Sequence, residues 1–283
     1  MHMDFTYDSY RTLLNQLQAA GYSFALFPQA QALMAQDEPF VLLRHDVDLD
    51  LAAAARMAQV EAALGVKSTY FVMVRTEFYN VFSQDGTAHV RAILKSGHDL
   101  GLHFDCAAYP PEADAEELAA ASRRECAMLT QWFDCPIETV SIHRPQPNVL
   151  AGDPALTAPL PHTYMDFYTK TIHYVADSRG GWYYGTPLAQ DAFQQRRPMQ
   201  ILVHPIWWRE EATAPLTTLH DFEARRQATI QSEMGANSTI YRPRPAQKTA
   251  TNGLAQNGHG LPPKSVKPLP TIPVLRNGVG KAA

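Results

Sequence analysis

Apolar and polar positions along the chain switch between two periods. From Tyr10 to Ala20, Leu13, Leu14 and Leu17 fall on one face of a predicted helix that Gly21 stops. Phe40-Val41-Leu42-Leu43 reads as a buried strand, and Leu51 to Leu64 as an Ala-rich helix ended by Gly65. Thr69 to Val74 is rich in strand formers, Ala88 to Lys95 is helical, and His98 to His103 is a third strand after Ser96-Gly97. Glu112 to Phe133 has helical periodicity and precedes a strand at Thr139 to His143. Pro145 to Pro161 is Pro-rich and predicts a long surface loop. Thr171 to Ala176 and Trp182 to Tyr184 predict strands on either side of Asp177-Ser178-Arg179-Gly180-Gly181. Met199 to Val203 predicts a further strand, and Leu216 to Met234 a last helix.

Strands alternating with helices are the signature of parallel α/β architecture, and about 250 residues suit one parallel β/α barrel, complete or distorted. An open doubly wound sheet is the alternative, but no GxGxxG follows the early strands. Beyond Pro245 the pattern stops. Residues 246–283 hold no aromatic and no acidic side chain, with several Pro and Gly. The expected organisation is a barrel domain over 1–245 and a disordered tail over 246–283.

Composition narrows the function classes. Hydrophobic residues make up 46% of the chain and charged ones 18%, as expected of a globular protein with ample core. The net charge of −4 favours neither nucleic acid nor an anionic membrane as partner. No apolar run approaches the ~20 residues of a membrane span, and the first residues lack the basic start and apolar core of a signal peptide. Cys106, Cys126 and Cys135 form no CxxC pair, which suits a reducing compartment, so a cytoplasmic location is expected.

Candidate chemistry lies at the ends of the predicted strands. In Arg44-His45-Asp46-Val47-Asp48, alternation points Asp46 and Asp48 the same way, and two buried carboxylates need a metal, an arginine or a shared proton. The plainer alternative is a pair of aspartates, Asp48 and Asp50, capping the next helix. His103 followed by Asp105, His143-Arg144-Pro145, Asp177 and His204 close four other strands. In parallel α/β folds such ends converge on one face. His45 and His98 point to the opposite face, and His89, His162, His173 and His220 have no comparable company.

The order Arg-His-Asp-Val-Asp, Gly-His-Asp-Leu-Gly-Leu-His, His-Arg-Pro, Asp-Ser-Arg-Gly and Leu-Val-His-Pro, from Phe40 to Trp208, resembles the motif series of polysaccharide deacetylases. These are family-four carbohydrate esterases with a NodB-like domain, a distorted β/α barrel related to the TIM barrel. The resemblance implies Asp46 as catalytic base, Asp48 and His103 as metal ligands and Arg144 as the base's partner. It further implies His204 as catalytic acid, with Asp177 orienting it. Val47 separates aspartates that are usually adjacent, and Ala107 stands where a second metal histidine is expected. His143 is the candidate for the third ligand and Asp105 the alternative. Zinc is the first expectation, although mixed Asp/His ligation also suits cobalt, nickel, iron or manganese.

The implied reaction is hydrolysis of an N-acetyl group on an amino sugar, with a small molecule or glycan as partner. A cyclic imide or other non-sugar amide is the second possibility, and an inactive glycan-binding relative the third. Tyr109, Trp182, Trp207 and Trp208 are the aromatic residues expected to wall a substrate cleft.

Overall fold

The computed structural model describes residues 4–144 and 153–243. A compact unit runs to Thr239. The expected tail over 246–283 lies outside the described residues, as do positions 145–152 of the expected long loop.

Helix α1 (Tyr7–Ala19) is capped by the Thr6 hydroxyl, which accepts from the Ser9 amide, and buries Tyr10, Leu13, Leu14 and Leu17. A short strand β1 (Ser23–Ala25) and a five-residue helix α2 (Ala30–Met34) follow. Strand β2 (Phe40–Val47) is buried along its whole length and leads into α3 (Leu51–Ala63). Then come β3 (Thr69–Val72), α4 (Gln84–Lys95), β4 (Asp99–Phe104), α5 (Ala115–Phe133) and β5 (Val140–Ile142). The chain finishes with β6 (His173–Ala176), a one-turn α6 (Asp191–Gln194), β7 (Met199–Val203) and α7 (Pro215–Asn237).

All the strands pair in parallel, in the order β5-β4-β3-β2-β7-β6, with β1 joined to the first residues of β2. The sheet curls into a half-barrel with helices around it, a distorted β/α barrel. Alternation along β2 explains its layers. Val41 and Leu43 pack outward with the α1 leucines, and Val47 with the α3–α5 side. Phe40 and Leu42 point inward with Phe27, Phe71 and Tyr168. Gly101 makes room for that inner core, because a Cβ there would stand 2.3 Å from the Phe71 ring.

Two expectations of the sequence are corrected. Trp182 to Tyr184 is not a strand; it lies in turns ending at Gly185, whose φ is +89°. Strand β2 does not stop at Leu43 but continues through Val47, because the polar Arg44 and Asp46 neutralise each other inside the sheet. No helix among the described residues is long and apolar enough to cross a membrane.

Candidate active site

The C-terminal ends of β2, β4, β5 and β7 bring together most of the residues singled out above. Asp48, just past β2, sets Oδ1 3.0 Å from His103 Nε2 on β4 and 3.1 Å from His143 Nδ1 beyond β5. The two imidazole nitrogens are 3.1 Å apart. The three ligand atoms thus form a nearly equilateral triangle, and among the described residues this is the one His/Cys/Asp/Glu group able to hold a metal ion.

The donor set fits a metal. Ser141 holds His103 Nδ1 at 3.0 Å, while its hydroxyl proton is shared between the two Asp46 oxygens at 3.0 and 3.1 Å. With that proton committed, the imidazole donates from Nδ1, and its neutral form then offers the Nε2 lone pair, which faces Asp48 and His143, to a metal. Ligand atoms about 2.0–2.1 Å from a tetrahedral ion stand about 3.3 Å apart, close to the observed edges. Ala107 leaves no gap in this candidate triad, because His143 Nδ1 stands at its third corner. Asp105 is engaged elsewhere: its Oδ1 accepts the Ala107 amide at 3.0 Å and its Oδ2 pairs with Arg144.

That pairing corrects the expected role of Arg144, whose guanidinium is 64% exposed and bound to Asp105 rather than Asp46. The arginine on Asp46 is Arg44, two residues earlier on the same face of β2. Its Nε donates to Oδ1 at 2.9 Å and its Nη2 to Oδ2 at 2.7 Å. Arg44 is fully buried and also donates to Ser141 Oγ and to Gln200 Oε1. Burial would push the Asp46 carboxyl up, but Arg44 and His103 hold it below the usual carboxylate range.

On the other flank of β2 from β4, His204 follows β7. Asp177, fully buried, accepts from His204 Nδ1 at 2.6 Å, from the His204 amide and from Trp208 Nε1 at 2.9 Å. His204 Nε2 is 3.9 Å from Asp48 Oδ2. Burial works against the imidazolium, yet the Asp177 carboxylate prevails and raises His204 to about 9.

No protein-family model matches the chain, and no curated protein does. Among solved structures, it is similar to a family 4 carbohydrate esterase from Streptomyces lividans in complex with acetate. That match has 14% identity, covers 65% of this chain and 84% of that one, and has a TM-score of 0.40. A family 4 acetyl xylan esterase from Clostridium thermocellum, in complex with a cobalt ion, matches at 16% identity over 67% and 84% of the two chains, TM-score 0.38. A pseudoenzyme of the same family from Bacillus anthracis matches at 14% identity and TM-score 0.39, over 67% of this chain and 62% of its own length. All three of these structures are family 4 members.

The aromatic candidates separate on burial. Trp208 is 1% exposed and wedged beside Phe5 and Tyr10, so it has no face for a sugar; its task is the hydrogen bond to Asp177. Trp182 stacks on Phe5 at 6.3 Å, and Tyr109 lies under the Arg75 guanidinium with its hydroxyl on Glu125. Trp207 is half-buried beside Gly180. Arg44, Ser141 and Gln200 carry no role in the motif series, yet Arg44 and Ser141 contact Asp46 directly and Gln200 accepts from Arg44. Alternation marks them, since each lies an even number of residues from Asp46, His143 or His204.

Proposed function

We propose that this site hydrolyses an amide, an N-acetyl group on an amino sugar or glycan precursor, with a divalent ion, zinc first, held by Asp48, His103 and His143. The observation that carries this reading is the convergence of Asp48 Oδ1, His103 Nε2 and His143 Nδ1 within 3.0–3.1 Å of one another, close to the spacing of three ligands around one tetrahedral ion. A bound ion supplies Lewis acidity toward water and the amide carbonyl.

The chain's own groups divide the proton transfers. Asp46 receives two N–H donors from Arg44 and one shared O–H from Ser141, three donors for about four lone-pair sites, so it keeps one site to accept a proton. Arg44 keeps it ionised. His204, raised to about 9, is protonated at neutral pH and delivers its proton to the departing amine, while Asp177 fixes the ring through Nδ1 and leaves Nε2 toward the cleft. Trp208 fixes Asp177 in turn.

The test is acetate release from N-acetylated amino sugars, with cyclic imides in the same substrate panel. Asp46→Asn and His204→Ala should each fall by about 10²–10⁴-fold. Wild-type rates in both variants would remove this assignment, and turnover of imides alone would move the substrate away from sugars.

A further inference from the structure

Helix α7 carries a surface that the described residues leave uncovered. It is 23 residues long, about 34 Å at 1.5 Å per residue, yet only Thr218 and Phe222 are buried. Its first half is docked: Arg209 reaches Asp221 at 2.8 Å, Arg225 reaches Asp50 at 2.7 Å, and Phe222 meets Phe78 edge to face. Beyond Phe222 no described side chain of the helix is buried. Helices of ~12–15 residues are marginal in water without packing.

The uncovered surface is apolar and patterned. Leu216 is 64% exposed, Leu219 36%, Ile230 52% and Met234 46%. At 100° per residue these four fall within an arc of about 60°, with Glu223 inside it and Arg226 at its edge. Beside the stripe runs an open groove of about 770 Å³, walled on its far side by Leu49, Glu77 and Phe78. Among the described residues, neither Glu223 nor Arg226 has an ion-pair partner.

The order of these residues along the helix is self-complementary. Leu216 and Met234, Leu219 and Ile230, and Glu223 and Arg226 are three pairs, all centred near residues 224–225. An antiparallel second copy, related by a two-fold axis through that centre, would set Leu216 against Met234, Leu219 against Ile230 and each Glu223 against an Arg226. Isologous contacts demand this reciprocity. An anionic lipid surface would favour a basic helix, whereas α7 carries both signs of charge.

We infer that α7 is the interface of a two-fold homodimer, in which the partner's α7 seats in the groove between α7 and Leu49–Phe78. The stripe and the far wall together supply apolar area toward the ~800 Å² per partner of a stable pair. Leu49 directly follows Asp48, so the partner would sit beside the mouth of the candidate site.

Sedimentation velocity and light scattering on the full chain decide this, with far-UV circular dichroism confirming that each surface variant stays folded. The wild type should have the mass of two chains, and Leu219→Asp with Ile230→Asp the mass of one. Glu223→Arg, which sets arginine against Arg226, should raise the dimer dissociation constant by about tenfold, as should Arg226→Glu. Combining the two restores opposite charges and should return the constant to near the wild-type value. A monomeric wild type, a dimer indifferent to both aspartates, or a double swap that fails to recover would overturn the inference. A monomer that floats with phosphatidylcholine vesicles would overturn it in favour of a lipid surface.

Discussion

Arg44→Met tests whether the buried guanidinium, and not Arg144, is what holds Asp46. The substitution keeps most of the apolar stem but removes two hydrogen bonds, at 2.9 and 2.7 Å, and, among the described residues, the arginine or lysine charge in contact with the carboxylate. Asp46 is 2% exposed, so water cannot substitute for the arginine. Removing one partner of a buried pair costs about 3–5 kcal/mol, a large part of the 5–15 kcal/mol by which folded domains are stable. In urea this is a fall in midpoint of about 1–2 M for a slope near 2.5 kcal/mol/M.

The pH dependence has a definite sign. Arg44 holds the Asp46 carboxyl below its ordinary value, so its stabilisation is present above the unfolded pKa near 4 and lost as pH falls through the lower folded value. The deficit of Arg44→Met should therefore be largest at neutral pH and shrink toward pH 3. Adding Asp46→Asn removes the stranded charge and should recover most of the loss. Arg144→Ala, at a side chain 64% exposed, should cost under about 1 kcal/mol. If Arg44→Met unfolds within about 1 kcal/mol of wild type, or Arg144→Ala costs as much, the assignment of the Asp46 partner is wrong.

Three further outcomes are expected. His143→Ala should weaken zinc binding at least ~10–100-fold in competition with a chromophoric chelator, while Asp105→Asn, tied to Arg144 and the Ala107 amide, should leave it unchanged. Ser141→Ala strips a buried hydroxyl from Asp46, Arg44 and His103, and should both destabilise by about 1–3 kcal/mol and loosen zinc, read by urea titration and the same competition. His204 is raised to about 9, so its stabilisation is full below the unfolded value near 6.5 and disappears as pH rises through 9. His204→Ala should flatten the dependence of Tm on pH between those limits, and an unchanged slope would show that His204 is not held by Asp177.

The parts of this molecule legible in the sequence are those set by a single strand's alternation or by a single helix's stripe. Asp46, Asp48, His103 and His204 stand at strand ends, and the α1 leucines and the Met199–Val203 strand lie where periodicity puts them. Contacts that depend on which strands are neighbours were not legible. Ser141 meets Asp46 only because β5, β4, β3 and β2 curl until residues 95 positions apart touch. Arg144 was misassigned for a related reason: it leaves β5 with a φ of +48°, which turns its guanidinium to Asp105 instead of inward. β1 was missed because three residues reading Ser-Phe-Ala carry no pattern of their own, and their pairing with Phe40–Leu42 is what makes them a strand.

Strand β2 carries polar side chains on both faces, and each face has its own partners. Inward, Arg44 neutralises Asp46 next to the metal-type triangle. Outward, His45 stacks on Tyr70 and sets Nε2 2.7 Å from Glu61 of α3, which also accepts from Ser68, Tyr70 and Tyr10. Burial would push the Glu61 carboxyl up, but His45 and its hydroxyl donors hold it below the ordinary range. A strand with polar groups on successive positions gains little from hydrophobic burial there, so its register rests on these matched partners. A one-residue slip of β2 would turn Arg44 and Asp46 toward the helices and His45 toward the triangle, stranding all three along with Glu61. The matched polar partners on the two faces therefore fix the register of β2, and with it the position of Asp48 against His103 and His143.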